Sequence, residues 1–292
     1  MKFGRNVRCI LFDLGGTLWM RKEARVEHTC ERIANLQAVL ELFRYAGSGF
    51  QPEMDVDELG QLLRKSFERQ IRDKTRQHVE YEPDFVLAAQ DALHQLGVPD
   101  VTREFGEAIY EALRVRSPDS RALFDDALST LAGLKERGYL LGVVTNRHYG
   151  GAPFHEDLRA MGLLDYFELR HMAISADLGI RKPHPDIFLH ALNSLNVLPE
   201  EAAMVGDSLR ADIVGAKRLD ILAIWRPKAS LREEARAALR AEAASGQVQQ
   251  HELTDDYLLA YTRQIEKRGR QTPDDIKPDA TIECLSDLLA MF

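Results

Sequence analysis

Short apolar runs and longer amphipathic stretches alternate along this chain. The run Val7–Phe12, "VRCILF", is ended by Asp13 and two glycines, which predicts a buried strand. Similar runs at Tyr139–Thr145, Leu169–Ser175, Ala202–Gly206 and Ile221–Trp225 predict four more. From residue 125 onward, helical patterns separate them. Leu128, Leu131 and Leu134 share one face of a helix that Gly138 should stop. The stretches 184–196 and 210–220 fill the later gaps. Strands alternating with helices predict an α/β fold, with a parallel sheet covered on both faces.

Residues 24–117 behave differently, with helical periodicity and almost no strand signal. Ile33, Leu36, Leu40 and Phe43 recur at helical spacing, as do Leu59, Leu63, Phe67 and Ile71. Phe105, Ile109 and Leu113 follow a predicted N-cap at Thr102. About four helices in one insertion predict a separate helical subdomain whose stripes form its core. A second insertion follows the fifth strand. "SLREEARAALRAEAASG" opens with a capping box, Ser230 and Glu233, and "ELTDDYLLAYTRQIEK" reads as its partner helix. This pair reads as a solvated hairpin whose alanine-rich face could serve dimerisation. A polar connector over 268–279 leads to a short strand and a closing helix in "DATIECLSDLLAMF". The expected division is a core of 1–22 and 118–292, carrying an insertion at about 229–270, and a helical unit of 23–117.

The 292 residues suit one large domain or two smaller ones, and 45% hydrophobic with 29% charged residues is ordinary for a globular chain. A net charge of -8 argues against a nucleic-acid binder but leaves room for a local basic pocket. The three cysteines, Cys9, Cys30 and Cys284, are odd in number and far apart. They predict free, mostly buried thiols in a reducing compartment rather than a disulfide framework or a zinc site. The first apolar run is too short for a signal peptide, and none approaches the roughly 20 residues of a membrane helix. These features predict a cytoplasmic protein that engages neither membrane nor nucleic acid, as a monomer or homodimer.

Polar clusters sit at the ends of the predicted strands. Asp13 follows the first, with Gly15, Gly16 and Thr17 forming a tight turn. Thr145 and Asn146 end the second. Lys182 lies on a proline-stiffened loop that opens a helix. Asp207 follows the strand Ala202–Gly206, with Asp212 five residues on. The C-terminal ends of parallel strands are where α/β sheets place their ligands.

In this order the clusters "FDLGGTL", "TN", "RKPHPDIF" and "VGDSLRADIVGA" resemble the haloacid dehalogenase-like (HAD) superfamily of hydrolases. The resemblance spans about 7–20 and 120–226, plus "PDATIECLSDLL". It implies a Rossmann-like α/β core with an inserted α-helical cap of the first type, and a phosphatase-type reaction on a small phosphorylated metabolite. On the matching positions it implies Asp13 as the nucleophile that forms an aspartyl-phosphate. Mg²⁺ would be held by Asp13, the Gly15 carbonyl and Asp207, with Thr17 and Asp212 supporting the site. Thr145 and Asn146 would bind the phosphoryl oxygens, and Lys182 would neutralise them.

Gly15 departs from the Asp-x-Asp pattern of many such phosphatases, which carry a general acid there. Its absence leaves four alternatives open, one being a slow or specialised phosphatase whose substrate has a good leaving group, such as an acyl or aryl phosphate. His148, near Thr145 and Asn146, could supply the proton, with Glu23 a weaker candidate. The leaving group could be carbon or halide, as in phosphonatases and dehalogenases; a phosphonatase needs a cap lysine, and nothing singles out Lys22, Lys65 or Lys74. The chain could also be a catalytically weak binding or regulatory module.

Overall fold

The computed structural model describes residues 4–47, 50, 52–244, 252–266, 273 and 275–292. Of the second insertion, 245–251 and 267–270 lie outside the described residues, as do 271, 272 and 274 of the connector.

Among the described residues eight strands form: β1 (Cys9–Phe12), β2 (Trp19–Arg21), β3 (Arg121–Leu123), β4 (Leu140–Thr145), β5 (Met172–Ile174), β6 (Ala202–Gly206), β7 (Leu222–Trp225) and β8 (Ala280–Thr281). Six of them make one parallel sheet in the order β5-β4-β1-β6-β7-β8. This is the α/β, Rossmann-like sheet that the strand–helix alternation predicts. After β1 the chain builds outward on one side through β4 and β5, then returns to the other side of β1 with β6. That reversal opens a crevice at the ends of β1, β4 and β6. Apolar side chains fill both faces. Phe12, Val143, Val205 and Phe154 pack on one face, and Leu11, Val144, Met204 and Phe188 on the other.

Two elements differ from the sequence reading. The run Leu169–Ser175 is a strand only over Met172–Ile174, because Leu169–His171 turns as a 3₁₀ helix. The antiparallel pair β2–β3 was not predicted: its strands are three residues each and about 100 residues apart, too short to show a period. Of the cysteines only Cys9 is buried; Cys284 is exposed and Cys30 lies between.

Among the described residues between β2 and β3 lie four main helices, α1 (Ala24–Ala46), α2 (Val56–Gln77), α3 (Phe85–Gln95) and α4 (Arg103–Ala112). Side-chain caps start three of them: Asp55 accepts from Glu58 N, Asp84 from Leu87 N, and Thr102 from Phe105 N. The stripe of α2 (Leu59, Leu63, Phe67, Ile71) and that of α4 (Phe105, Ile109), with Leu113 just beyond it, are buried together. The predicted stripe of α1 is not. Ile33 is 54% exposed and Leu40 68%, while Ala34, Ala38, Val39 and Leu42 face the core. The reason is close approach: a Cβ on Gly60 of α2 would stand 2.9 Å from Asn35 Cβ, so small residues win that face of α1.

The second insertion contains helices over Ala229–Ala244 and Asp255–Glu266. The first begins at Ala229, so Ser230 sits inside its first turn, and Glu233 pairs with Arg236 at 2.6 Å rather than closing a capping box. The C-terminal helix spans Leu288–Met291.

Candidate active site

Asp13 leaves β1 with its N–H bonded to Val205 O at 2.9 Å, which fixes it between β1 and β6. Its residue surface is 6% exposed. The turn after it depends on Gly16, whose φ of +85° suits glycine and whose Cβ would meet Asp207 Oδ2 at 2.3 Å. Gly15 is different: a Cβ there meets only Trp19 Nε1, at 3.8 Å, so a side chain would fit. The Thr17 hydroxyl donates to Asp13 Oδ2 at 3.4 Å.

Lys182 is the hub. Its ammonium donates to Asp13 Oδ1 at 2.7 Å, Asp212 Oδ1 at 2.6 Å and Val144 O at 2.7 Å, so all three of its protons are used. Lys182 and Asp212 are 3% and 1% exposed. Burial alone would discharge the lysine, but the charges of Asp13 and Asp212 outweigh it and raise the pKa. Ser208 N holds the other oxygen of Asp212 at 2.9 Å, and the wide π-helical turn Leu209–Ile213 brings that carboxylate back under the lysine.

Asn146 does something the sequence did not suggest. Its side-chain oxygen accepts from Lys182 N at 2.8 Å and its amide donates to Lys182 O at 3.1 Å. The side chain clamps the lysine loop, and one amide hydrogen is left for any other partner. Thr145, at the end of β4, is buried beside it.

Asp207 follows β6, and Trp225 Nε1 donates to its carbonyl at 2.9 Å. Burial, then the charge of Asp13, push its carboxyl pKa up, and Lys228 at 3.1 Å opposes this. Asp13, Asp207 and Asp212 each offer a carboxylate oxygen within 4.8 Å of the others. Three acidic groups this close, with one ammonium committed to two of them, form an all-oxygen donor set that suits a hard divalent cation such as Mg²⁺.

His148 is directed elsewhere. Its ring lies 5.5 Å from that of Phe85 in α3, and its carbonyl accepts from Tyr110 of α4 at 2.7 Å. Among the described residues it shares no hydrogen bond with Asp13, Asp207 or Lys182. Burial, then the charges of Arg181 and Arg147, push its pKa down to about 4. A histidine that is neutral at pH 7 makes a poor proton donor, so this placement runs against a general-acid role for His148. Glu23 lies on the exposed entrance to α1. Lys74 pairs with Asp91 at 2.8 Å and Lys22 donates to Pro118 O at 2.8 Å, which accounts for both.

A cleft of about 1040 Å³ runs from Asn146 and Arg147 up to α1 and α2. Arg147, next to Asn146, lies over the rings of Phe154 (4.8 Å) and Trp19 (5.5 Å). Its burial pushes the pKa down to about 10, so it stays a cation at neutral pH. The sequence reading missed Arg147 and Lys228. The adjacency of Arg147 to the Thr-Asn pair was the available signal; Lys228 gave none.

The profile of haloacid dehalogenase-like hydrolases matches residues 7–220. A glyceraldehyde 3-phosphate phosphatase of Pyrococcus furiosus is 32% identical over 236 residues, which cover 76% of this chain and 81% of that one. A phosphoserine phosphatase of Thermus thermophilus is 38% identical over 139 residues, 47% of this chain and 51% of that protein. The crystal structure of a HAD phosphatase from Thermococcus onnurineus aligns with a TM-score of 0.54 at 23% identity, over 98% of this chain and 97% of that one, a likeness of fold. No described helix is long and apolar enough to cross a membrane. By its sheet, its strand-end cluster and these likenesses, the chain belongs to the haloacid dehalogenase-like hydrolases and is an enzyme of their phosphatase type.

Proposed function

We propose that this chain is a Mg²⁺-dependent phosphatase of a small phosphorylated metabolite and that Asp13 is its nucleophile. The observation that carries the reading is the buried strand-end cluster, in which Lys182 bridges Asp13 and Asp212 while Asp207 stands close by.

An oxygen of Asp13 attacks phosphorus, the ester bond breaks, and the leaving oxygen departs with the bonding pair. Water then attacks the aspartyl-phosphate, which frees phosphate and restores Asp13. Lys182 offsets the negative charge that would otherwise keep two anions apart. Asp212 keeps Lys182 in place, Asn146 keeps its loop in place, and Thr17 steadies the second oxygen of Asp13. Thr145 and the remaining amide hydrogen of Asn146 face the phosphoryl oxygens. Asp13, Asp207 and the Gly15 carbonyl would hold Mg²⁺, which supplies charge neutralisation at the transferred group when bound. Helices α1–α4 act as the cap that excludes water and selects the substrate. No carboxyl group stands at Gly15 to protonate the leaving oxygen, which points to substrates with a good leaving group.

The test is phosphate release from a panel of esters, with and without EDTA, beside Asp13→Asn. The expected loss in Asp13→Asn is at least about a thousandfold in kcat, the scale on which removal of a nucleophile acts. EDTA should abolish turnover and added Mg²⁺ restore it. Activity that survives either treatment sinks the reading. The missing acid at Gly15 favours one second reading, a halide or carbon leaving group, and release of halide from a haloacid, or of aldehyde together with phosphate from a phosphonate, with no turnover of phosphate esters, would establish it.

A further inference from the structure

The protein carries a net charge of -8, yet its cleft has the opposite sign. Nine Lys and Arg residues line it against four Asp and Glu. Several of these cations are neutralised locally: Arg32 by Asp57, and Arg121 by Glu27. Two are not. Arg64 of α2 is held by neutral acceptors, Asn35 Oδ1 at 2.5 Å and Leu113 O at 2.9 Å. Arg147 on the cleft floor donates to the Ser117 hydroxyl at 3.1 Å, and its buried Nε has no partner among the described residues. Tyr149 lines the same cleft and interacts electrostatically with both Arg64 and Arg147. Arg64 is positioned by neutral groups, and Arg147 by a hydroxyl and two rings, with Asp13 and Asp157 acting on it only at longer range, so neither cation has an ion-pair partner among the described residues. A protein seldom shelters uncompensated cations in a cleft unless an anion arrives to pair with them.

The floor of this cleft reaches Asn146, which clamps Lys182, so a phosphoryl group on Asp13 would leave the rest of its molecule lying along Arg147, Tyr149 and Arg64. The volume, about 1040 Å³, reaches the upper end of ordinary ligand pockets and exceeds what a three-carbon phosphate would fill.

We propose that the substrate carries a second anionic group, phosphate or carboxylate, remote from the phosphoryl that is transferred, and that Arg147 and Arg64 receive it. The inference rests on the phosphatase reading and adds a substrate class to it. Guanidinium groups suit either anion because both accept paired hydrogen bonds.

The test compares matched substrates on the full chain with Mg²⁺ present. Glucose bisphosphate against glucose monophosphate isolates a second phosphate, and phosphogluconate against glucose monophosphate isolates a carboxylate. At low salt, kcat/KM should favour at least one doubly anionic member by about ten- to hundredfold, the worth of one or two charge-assisted hydrogen bonds. The arm that shows the preference identifies the anion. In Arg64→Gln the preference should shrink towards parity, and Arg64→Lys should recover part of it. A measurement on the unaltered enzyme guards against misfolded variants: raising salt should increase KM more for the doubly anionic substrate than for the simple ester. Equal kcat/KM across both pairs, or a preference that Arg64→Gln leaves intact, overturns the inference. Turnover of p-nitrophenyl phosphate serves as the separate control, since its absence would count against the phosphatase reading itself.

Discussion

Two helical insertions interrupt the sheet, and they are anchored in opposite ways. Helices α1–α4 bury Leu42, Leu63, Phe67, Leu93, Phe105 and Ile109 against one another, in a core of their own. The pair Ala229–Ala244 and Asp255–Glu266 has no such core. Its Ala235, Leu258 and Leu259 join Leu11, Met204 and Trp225 in the core of the sheet. The expected solvated hairpin is therefore half of a sheet-covering layer. The first insertion meets the core through polar contacts. Glu82 N donates to Gly179 O at 2.9 Å and Arg181 N to Glu80 O at 3.0 Å, beside Lys182, while Tyr110 reaches His148 O. An element with its own core can shift without exposing the main one, whereas an element sharing that core cannot. The difference predicts that helices α1–α4 shift more readily than the pair packed on the sheet.

The largest test of this contrast is a pair of core truncations. Leu258→Ala should lower global stability by about 2–5 kcal/mol, the cost of a cavity in a shared core. Leu63→Ala removes an equally buried side chain, but its cost should fall on α1–α4. Hydrogen exchange resolves the two outcomes: amides of β1, β4 and β6 should lose protection in Leu258→Ala and keep it in Leu63→Ala. Equal loss in both variants would make the first insertion part of the sheet's cooperative unit.

A smaller effect concerns the seam between α3, α4 and the core, where the ring of His148 lies against Phe85. In the docked state its pKa is pushed down to about 4. A histidine released into solvent titrates near 6.5. The undocked or unfolded form therefore binds its proton first, and acidification from about 6.5 to about 4 favours release of the helices. Above that window His148 contributes no pH dependence to the seam. Exchange rates in α3 and α4 should rise across it, and His148→Gln should flatten the rise. A dependence that survives the substitution would assign it to other groups.

The same contrast explains what the sequence could disclose. Strands β1, β4, β6 and β7 were legible because they are apolar on both faces and punctuated at their ends. Asp13, Thr145, Lys182 and Asp207 were legible because each stands just past such an element or opens the next helix, in a fixed order. Arg64, Arg147 and Lys228 were not, because a lone cation has no period and its meaning depends on what tertiary packing sets opposite it. The clamp by Asn146 was hidden for the same reason: its partner is 36 residues away. Strands β2 and β3 were too short to register, with Met20 and Arg21 turned to solvent.

The smallest predicted effect lies on α1, where periodicity picked the wrong face. Ile33, Leu36, Leu40 and Phe43 have the spacing of a core stripe, but the opposing stripe of Ala34, Ala38 and Leu42 lets α2 approach at Gly60, and dense packing there outweighs larger side chains that would hold the helices apart. Leu40 remains 68% exposed, so it has little burial free energy to lose. Leu40→Gln should change the stability of the chain by no more than about 0.5 kcal/mol, as for surface substitutions generally. Denaturant unfolding of the variant measures this directly. A loss of about 2 kcal/mol would mean that the stripe is covered in solution and that the first insertion has a second buried face.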